Sequence, residues 1–356
     1  MTSQDFSDTL TLRDLGWSPA FQAQIDPGEA ATAEPLRVTA VHRDAVEALG
    51  EGDARARRVT AGPGLPTSEI AVGDWLLVDR TSGRVLRLLE RKSLIRRRAA
   101  GTGRAVQLVA ANLDSLFVVS SCNADFNPAR IERYLVLARQ AGVQPVLVLT
   151  KADACDDPYD YLDRLRALVA EVPALAVNAL EPASAGRLLP WCGPGQTVAL
   201  VGSSGVGKST LVNALADAAQ ATRGIREDDA HGRHTTTARS MHRLPSGAWL
   251  IDTPGMRALR LTDAADGVEA VFGDLADLAA ACRFGDCRHE DEPGCAVQAA
   301  IAAGTLEPDR LARWHKLRRE EARNSASLAE QRHAARAFGR MARSAMAEKR
   351  GRRGEI

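Results

Sequence analysis

Gly202, Gly207, Lys208 and Ser209 fit the pattern G-x-x-x-x-G-K-[ST], set between an apolar β-type run, TVALV, and a helical pattern, TLVNALA. No other feature of the 356-residue chain narrows its fold as far. The pattern needs a strand, a glycine-rich turn and a helix in succession, which places it in an α/β layer with ligands at the carboxyl ends of parallel strands. Its chemistry explains its residues. Glycines let backbone N–H groups approach phosphate oxygens, at a helix N-terminus whose dipole favours anions. The nucleotide-binding loop is therefore expected to run through Gly202, Ser203, Ser204, Gly205, Val206, Gly207, Lys208, Ser209 and Thr210. Lys208 would reach the β- and γ-phosphates, and the Ser209 hydroxyl would sit on Mg²⁺. The alternative is a glycine-rich turn without a ligand.

A sensor for Mg²⁺ and the γ-phosphate is expected on the next strand, and Asp252-Thr253-Pro254-Gly255 closes AWLI in that way. Asp252 would hold the metal's water shell and the Gly255 N–H would meet the γ-phosphate. Between the two motifs lies GRHTTT, Gly232 to Thr237, in a charged stretch. Thr235, Thr236 or Thr237 would offer a hydroxyl to Mg²⁺ there, Thr236 being the residue assigned, and an ordinary solvated loop is the other reading. Thr150-Lys151-Ala152-Asp153 closes the strand PVLVL and resembles the N/T-K-x-D element of GTPases. Asp153 would accept from guanine N1–H and N2–H₂ while the Lys151 stem lies over the ring; adenine offers no such donor pair. Thr150 stands where asparagine is commoner, a change expected to weaken the contacts between base loop and phosphate loop. Asn178-Ala179 falls where a second base-contacting loop belongs.

The order of these motifs is informative. In Ras-like GTPases the base-reading element follows the phosphate loop, whereas Lys151 and Asp153 precede Gly202 by about fifty residues. The domain resembles a circularly permuted GTPase. Sheet contacts do not depend on where the chain is cut, provided the new ends are joined or anchored by added domains.

Cys282, Cys287, His289 and Cys295 give C-x₄-C-x-H-x₅-C, a closed Cys₃His set suited to one tetrahedral structural Zn²⁺. Redox-active or merely buried cysteines are the alternative. Upstream, VTAV and DWLLVD are short β-type stretches separated by Gly and Pro clusters, and they predict a small all-β barrel or sandwich. Residues 1–35 carry three prolines and no sustained periodicity, so they read as an extension or poorly structured arm. The resulting organisation is an N-terminal extension at 1–35, a β-barrel at 36–105, an α/β GTPase domain at 106–265, and an α-helical zinc-binding domain with a basic tail at 266–356.

Net charge is +1, but it is unevenly spread. From Arg80 to Arg104 nine basic residues face Glu90 alone, and from Thr305 onward fourteen Lys or Arg face seven Asp or Glu. Outer modules that meet a polyanion, or simply solvated faces, account for such runs. Aromatics are sparse in them, Trp314 and Phe338 in the second run and none in the first, so docking on folded RNA through phosphates is favoured over base stacking. The start MTSQDFSDTL has neither a basic cluster nor an apolar stretch, and no run suits a membrane span. A cytoplasmic, reduced protein is expected.

Together, AVGDW, the segment from Gln107 to Asn112, DFNPARIERYL, LTKAD, GSSGVGKSTLVNAL, GRHTTT, DTPGM and CRFGDCRHEDEPGCAV resemble the bacterial RsgA family, over roughly residues 36–330. The resemblance implies an OB-fold for the N-terminal module, a permuted GTPase in the middle and a helical zinc domain at the end. It also implies a GTPase with GTP/GDP, Mg²⁺ and one structural Zn²⁺, acting late in small ribosomal subunit maturation and stimulated by that subunit. No membrane partner is expected, and a monomer is. Where many GTPases place a water-orienting glutamine, after Gly255, this chain has Met256, so slow intrinsic hydrolysis is predicted. His234 is the internal candidate for orienting the water, beside Lys208 and Thr236 as catalytic groups; a solvated histidine is the other reading. Two other functions remain open: a GTP-regulated RNA-binding assembly factor whose hydrolysis is incidental, and a P-loop ATPase with a misleading TKAD.

Overall fold

The computed structural model describes residues 9–60, 64–98, 106–223, 240–252 and 264–325. They form two compact units, residues 1–259 and 260–356.

In the first unit, strands β1 (Ala33–Val41), β2 (Ala45–Leu49), β3 (Arg57–Thr60), β4 (Trp75–Asp79) and β5 (Val85–Leu88) form an antiparallel array in the order β3-β2-β1-β4-β5. Leu36, Val38, Val46, Ala48, Val59, Ile70, Leu76 and Val78 make its core. The array is open among the described residues, with no β3–β5 pairing. Strands β6 (Leu94–Arg98) and β7 (Val106–Ala111) pair as a separate antiparallel ribbon leading out of the array.

The α/β part follows. Strands β8 (Ser115–Ser121), β9 (Gln144–Thr150), β10 (Ala174–Ala176), β11 (Thr197–Val201), β12 (Ser240–Arg243) and β13 (Trp249–Asp252) stand in the order β10-β9-β8-β11-β13-β12. All neighbours are parallel except β12, which runs antiparallel to β13. The phosphate-loop strand β11 is thus central in the sheet though late in the chain, the layout a permutation requires. Between these strands run α3 (Pro128–Gln140), α4 (Pro158–Leu168), α5 (Pro182–Ala185) and α6 (Lys208–Arg223). Local chemistry sets their starts: Asn127 and Asp157 accept from the Arg130 and Tyr159 amides at 3.0 and 2.8 Å, and proline follows each cap. Leu211, Ala214 and Leu215 of α6 share a core with Phe117, Val119, Val146, Val148 and Val198.

The two sheets are one. Ala40 of β1 pairs with Ser240 of β12, which continues the GTPase sheet into the β1–β5 array.

The expectation of a poorly structured arm over residues 1–35 does not hold from Thr9 onward. Short helices α1 (Pro19–Gln22) and α2 (Pro27–Thr32) lead directly into β1, and Leu10, Leu15 and Phe21 are buried. The reason is tertiary. These residues follow no period, yet Trp17 meets Trp75 edge-on at 4.7 Å between centroids and Phe21 lies 5.9 Å from it.

The second unit is helical: α7 (Ala265–Val271), α8 (Gly273–Ala280), α9 (Ala296–Ala302) and α10 (Pro308–Ser325). Arg310 reaches from α10 to Asp274 with two 2.7 Å hydrogen bonds and lies 4.8 Å from the Phe272 ring centre. That fork, with buried Leu275, Leu311, Trp314 and Leu317, holds the unit together.

Candidate functional site

The phosphate loop leaves β11 at Val201 and enters α6 at Lys208. A Cβ at Gly202 would run into the Val119 carbonyl and sit 3.2 Å from Val206 Cγ2, so the backbone approach there needs glycine. Gly205 and Gly207 adopt φ of 78° and 87°. Ser204, Gly205, Ser209 and Thr210 are exposed, and Val206 is buried beneath them. The loop is an open, glycine-lined cradle at the start of a 16-residue helix, the shape and dipole that phosphate needs. Lys208 Nζ donates to the Gly202 and Ser203 carbonyls at 2.9 and 2.5 Å, which sets its ammonium over the loop.

The base element is joined to this cradle by Thr150. Its buried hydroxyl lies 2.5 Å from the Val206 carbonyl and 3.1 Å from the Ser120 carbonyl. The hydroxyl spans this junction because β9 delivers Thr150 directly against Gly207. Lys151 follows with φ 58°, turning the chain so that Asp153 is exposed. The Ala152 amide donates to the Val177 carbonyl at 3.3 Å, which brings Asn178 and the buried Ala179 beside the base element. The Asn178 side chain accepts from the Leu180 amide at 2.9 Å and so shapes its own loop. Phosphate loop, Thr150–Asp153 and Asn178–Ala179 are therefore assembled at one end of the sheet.

Asp252 ends β13, next to β11 and in register with Ser240; its side chain lies outside the described residues, as do Gly255, Met256, His234, Thr235, Thr236 and Thr237. An open cavity of about 490 Å³ beside the base element is lined by Cys122, Asn123, Cys155, Asp156, Asp157 and Tyr161 among others, and by none of the expected nucleotide contacts.

The cysteine–histidine set converges. Cys282, Cys287, His289 and Cys295 hold their donor atoms within 4.8 Å of one another. His289 Nδ1 is 3.6 Å from the sulfurs of Cys282 and Cys295, which are 3.9 Å apart. A tetrahedral Zn²⁺ with bonds of about 2.3 Å to sulfur and about 2.0 to 2.1 Å to nitrogen sets sulfurs about 3.8 Å apart and S to N about 3.6 Å. The residues fit that ion. His289 reaches its position through φ 62°, with Gln298 Nε2 donating to its carbonyl at 2.6 Å and Trp314 tilted over its ring at 5.6 Å. Burial pushes the Cys282 thiol up, but the Ala296 and Val297 amides at the start of α9 outweigh it and hold the thiol below its ordinary value, favouring a thiolate.

Sequence reasoning missed Arg37, a fully buried arginine whose Nη1 donates to the Leu15 carbonyl and whose Nη2 reaches Thr197 Oγ1 at 2.7 Å. Burial lowers its pKa to about 10, so it is charged at neutral pH. A lone arginine in LRVTAV was the available signal.

A central phosphate-loop strand, a base element placed before it in the chain and a terminal strand carrying Asp252 define a circularly permuted P-loop GTPase. Two solved structures share this fold: YjeQ from Thermotoga maritima, with a TM-score of 0.60 and 23% identity over 80% of this chain and 97% of that one, and YloQ, a circularly permuted GTPase, with a TM-score of 0.57 and 22% identity over 83% and 97%. Residues 88–262 match the RsgA GTPase family. The small ribosomal subunit biogenesis GTPase RsgA of Mesorhizobium japonicum is 51% identical over 322 residues, 88% of this chain and 91% of its own length. The small ribosomal subunit biogenesis GTPase RsgA 2 of Vibrio parahaemolyticus is 49% identical over 355 residues, 97% of each. The chain belongs to the RsgA GTPase family.

Proposed function

We propose that this protein is a Mg²⁺-dependent GTP hydrolase that acts late in maturation of the small ribosomal subunit and is stimulated by it. The observation that carries this reading is the 51% identity, across nearly the whole chain, to a GTPase named for small-subunit biogenesis. Gly202 through Thr210 would receive the phosphates, and Thr150, Lys151, Asp153, Asn178 and Ala179 the guanine. Ser209, Thr236 and Asp252 would hold Mg²⁺, which when bound neutralises charge on the β- and γ-phosphates. Lys208 adds a fixed cation, and the Gly255 amide would meet the γ-phosphate. Met256 cannot orient water, so His234 is assigned that task, completed by the subunit's RNA or protein. Intrinsic turnover is accordingly slow.

The β1–β5 array is read as an OB-fold and the helical unit as a Zn²⁺-stiffened module with one structural ion at Cys282, Cys287, His289 and Cys295. In the run from Arg80 to Arg104, Arg80, Arg87, Arg91 and Lys92 form ion pairs with Glu34, Glu29, Asp74 and Asp114, and beyond Thr305 Arg310 does so with Asp274. The other basic residues of the two runs supply contacts to rRNA phosphates, and the protein works as a cytoplasmic monomer. No helix among the described residues is long and apolar enough to cross a membrane.

Sedimentation with purified ribosomal subunits tests this reading. Protein loaded with a non-hydrolysable GTP analogue should travel with the small subunit and leave it when loaded with GDP. Equal association in both states would favour an RNA-binding factor with incidental hydrolysis, and no association would remove the small subunit as partner.

A further inference from the structure

The sheet end opposite the phosphate loop is closed by the chain's own N-terminal segment. Trp249, at the start of β13, donates its indole N–H to the Asp14 carbonyl at 2.7 Å, and Arg243, at the far end of β12, lies 3.9 Å from the Asp14 carboxylate. Gly16 abuts the Gly195 carbonyl just before β11, so closely that a Cβ at Gly16 would meet it at 2.5 Å, besides overlapping Arg37 Nη1. Arg37 then ties the Leu15 carbonyl to Thr197, the first residue of β11. Three strands are thus gripped at one end by Asp14, Leu15 and Gly16. At their other ends these same strands carry the phosphate loop (β11), Asp252 (β13) and the connection from the GRHTTT segment (β12).

The grip also reaches the β1–β5 array. The Gly52 amide donates to the Leu10 carbonyl at 2.8 Å, Trp17 packs edge-on to Trp75, and the Arg37 guanidinium lies 5.6 Å from the Trp75 ring centre. A second link runs higher up, where Ser240 pairs with Ala40 on one side and Asp252 on the other.

We propose that Leu10–Trp17 with Arg37 is a positioning clasp: it holds the three strands that carry the GTP site in fixed relation and fastens them to the β1–β5 array, so that a partner bound to that array acts on the strand ends at Ser240 and Asp252. The clasp touches no nucleotide; it acts through β11, β12 and β13. Displacements of about 1 Å far from the reacting atoms suffice to change turnover strongly. The stimulation it transmits rests on the function proposed above.

Gly16→Ala tests it, because φ of 84° and the Cβ overlap force the clasp away from Arg37 and Gly195 while leaving the GTP contacts untouched. Arg37→Lys, which keeps a cation but not the fork to Leu15 and Thr197, is the milder companion. GTP turnover would be measured for wild type and both variants, with and without small subunits, together with hydrogen exchange of the amides in β12 and β13. The clasp predicts that Gly16→Ala keeps KM and unstimulated kcat within about twofold and loses about tenfold or more of the stimulated kcat. It also predicts faster exchange at residues 240–243 and 249–252, with Arg37→Lys intermediate. Stimulated and unstimulated rates falling in equal proportion, as from fewer folded molecules, would overturn it, and so would wild-type stimulation or unchanged exchange in both variants. Wild type that small subunits do not stimulate would instead defeat the functional reading, and the exchange data would still decide whether the clasp holds the strands.

Discussion

Thr150→Val isolates the junction between base loop and phosphate loop. Valine reproduces the shape of threonine, so packing beside Gly207 is kept at this fully buried position. What disappears is one O–H donor, 2.5 Å from the Val206 carbonyl and 3.1 Å from that of Ser120. Leaving a buried acceptor without its partner costs about 1–3 kcal/mol. Charged wholly to the binding-competent loop, that is about 5- to 150-fold in affinity. Because the single hydroxyl hydrogen serves one of two carbonyls at a time, the expected loss sits toward the low end, about tenfold. Titration with fluorescent GDP and a fluorescent non-hydrolysable GTP analogue measures it, with thermal unfolding of the nucleotide-free protein as the control for global stability. Both nucleotides should weaken by the same factor, since the junction touches neither the γ-phosphate nor its metal. Unchanged affinity for both would refute the reasoning, and so would a loss confined to the GTP analogue.

Other perturbations follow from the same structure. Gly202→Ala drives a Cβ into the Val119 carbonyl and should weaken nucleotide binding by about a hundredfold; a titration showing near wild-type affinity would contradict the cradle. The Arg87 guanidinium, with help from the Asp26 amide, holds the Glu29 carboxyl at about 2 against an ordinary 4.5. That depressed value means the contact's contribution to stability is present above pH 4.5 and is lost as the pH falls through about 2. Arg87→Ala should return the Glu29 midpoint toward 4.5 in a carboxyl-detected NMR titration, and an unmoved midpoint would assign the shift elsewhere. Chelation at neutral pH, or Cys287→Ser, should cost helical circular dichroism and expose Cys282 and Cys295 to thiol reagents; an indifferent spectrum and unreactive thiols would mean the cluster stands without metal.

The parts of this architecture that were legible beforehand are those written in contiguous residues. Gly202–Ser209 announces its own strand, turn and helix, and the four residues of the Cys₃His set fall within a single loop between α8 and α9. Asn127-Pro128 and Asp157-Pro158 mark helix starts because capping is local. Contacts that depend on distant partners were invisible. Arg37 reads as a charge breaking an apolar strand until Thr197, 160 positions away, arrives to accept from it. Leu10, Leu15 and Phe21 follow no period although all three are buried, Phe21 against Trp75, because partners distant in the chain cover them. The contact of Thr150 with the phosphate loop could not be read beforehand, because the strand register that presses it there is a property of the sheet. Pairing of Ala40 with Ser240, which fuses two predicted domains into one sheet, has no local signature in either segment.

GTP and ATP turnover by the purified protein, with and without small ribosomal subunits and at two salt concentrations, tests the central claim most directly. The account predicts slow turnover of GTP alone, raised many-fold by small subunits and suppressed by salt as the basic surfaces lose their grip on RNA phosphates. Guanine-specific turnover indifferent to subunits would contradict the ribosomal role, and comparable turnover of ATP would contradict the base-reading assignment of Asp153.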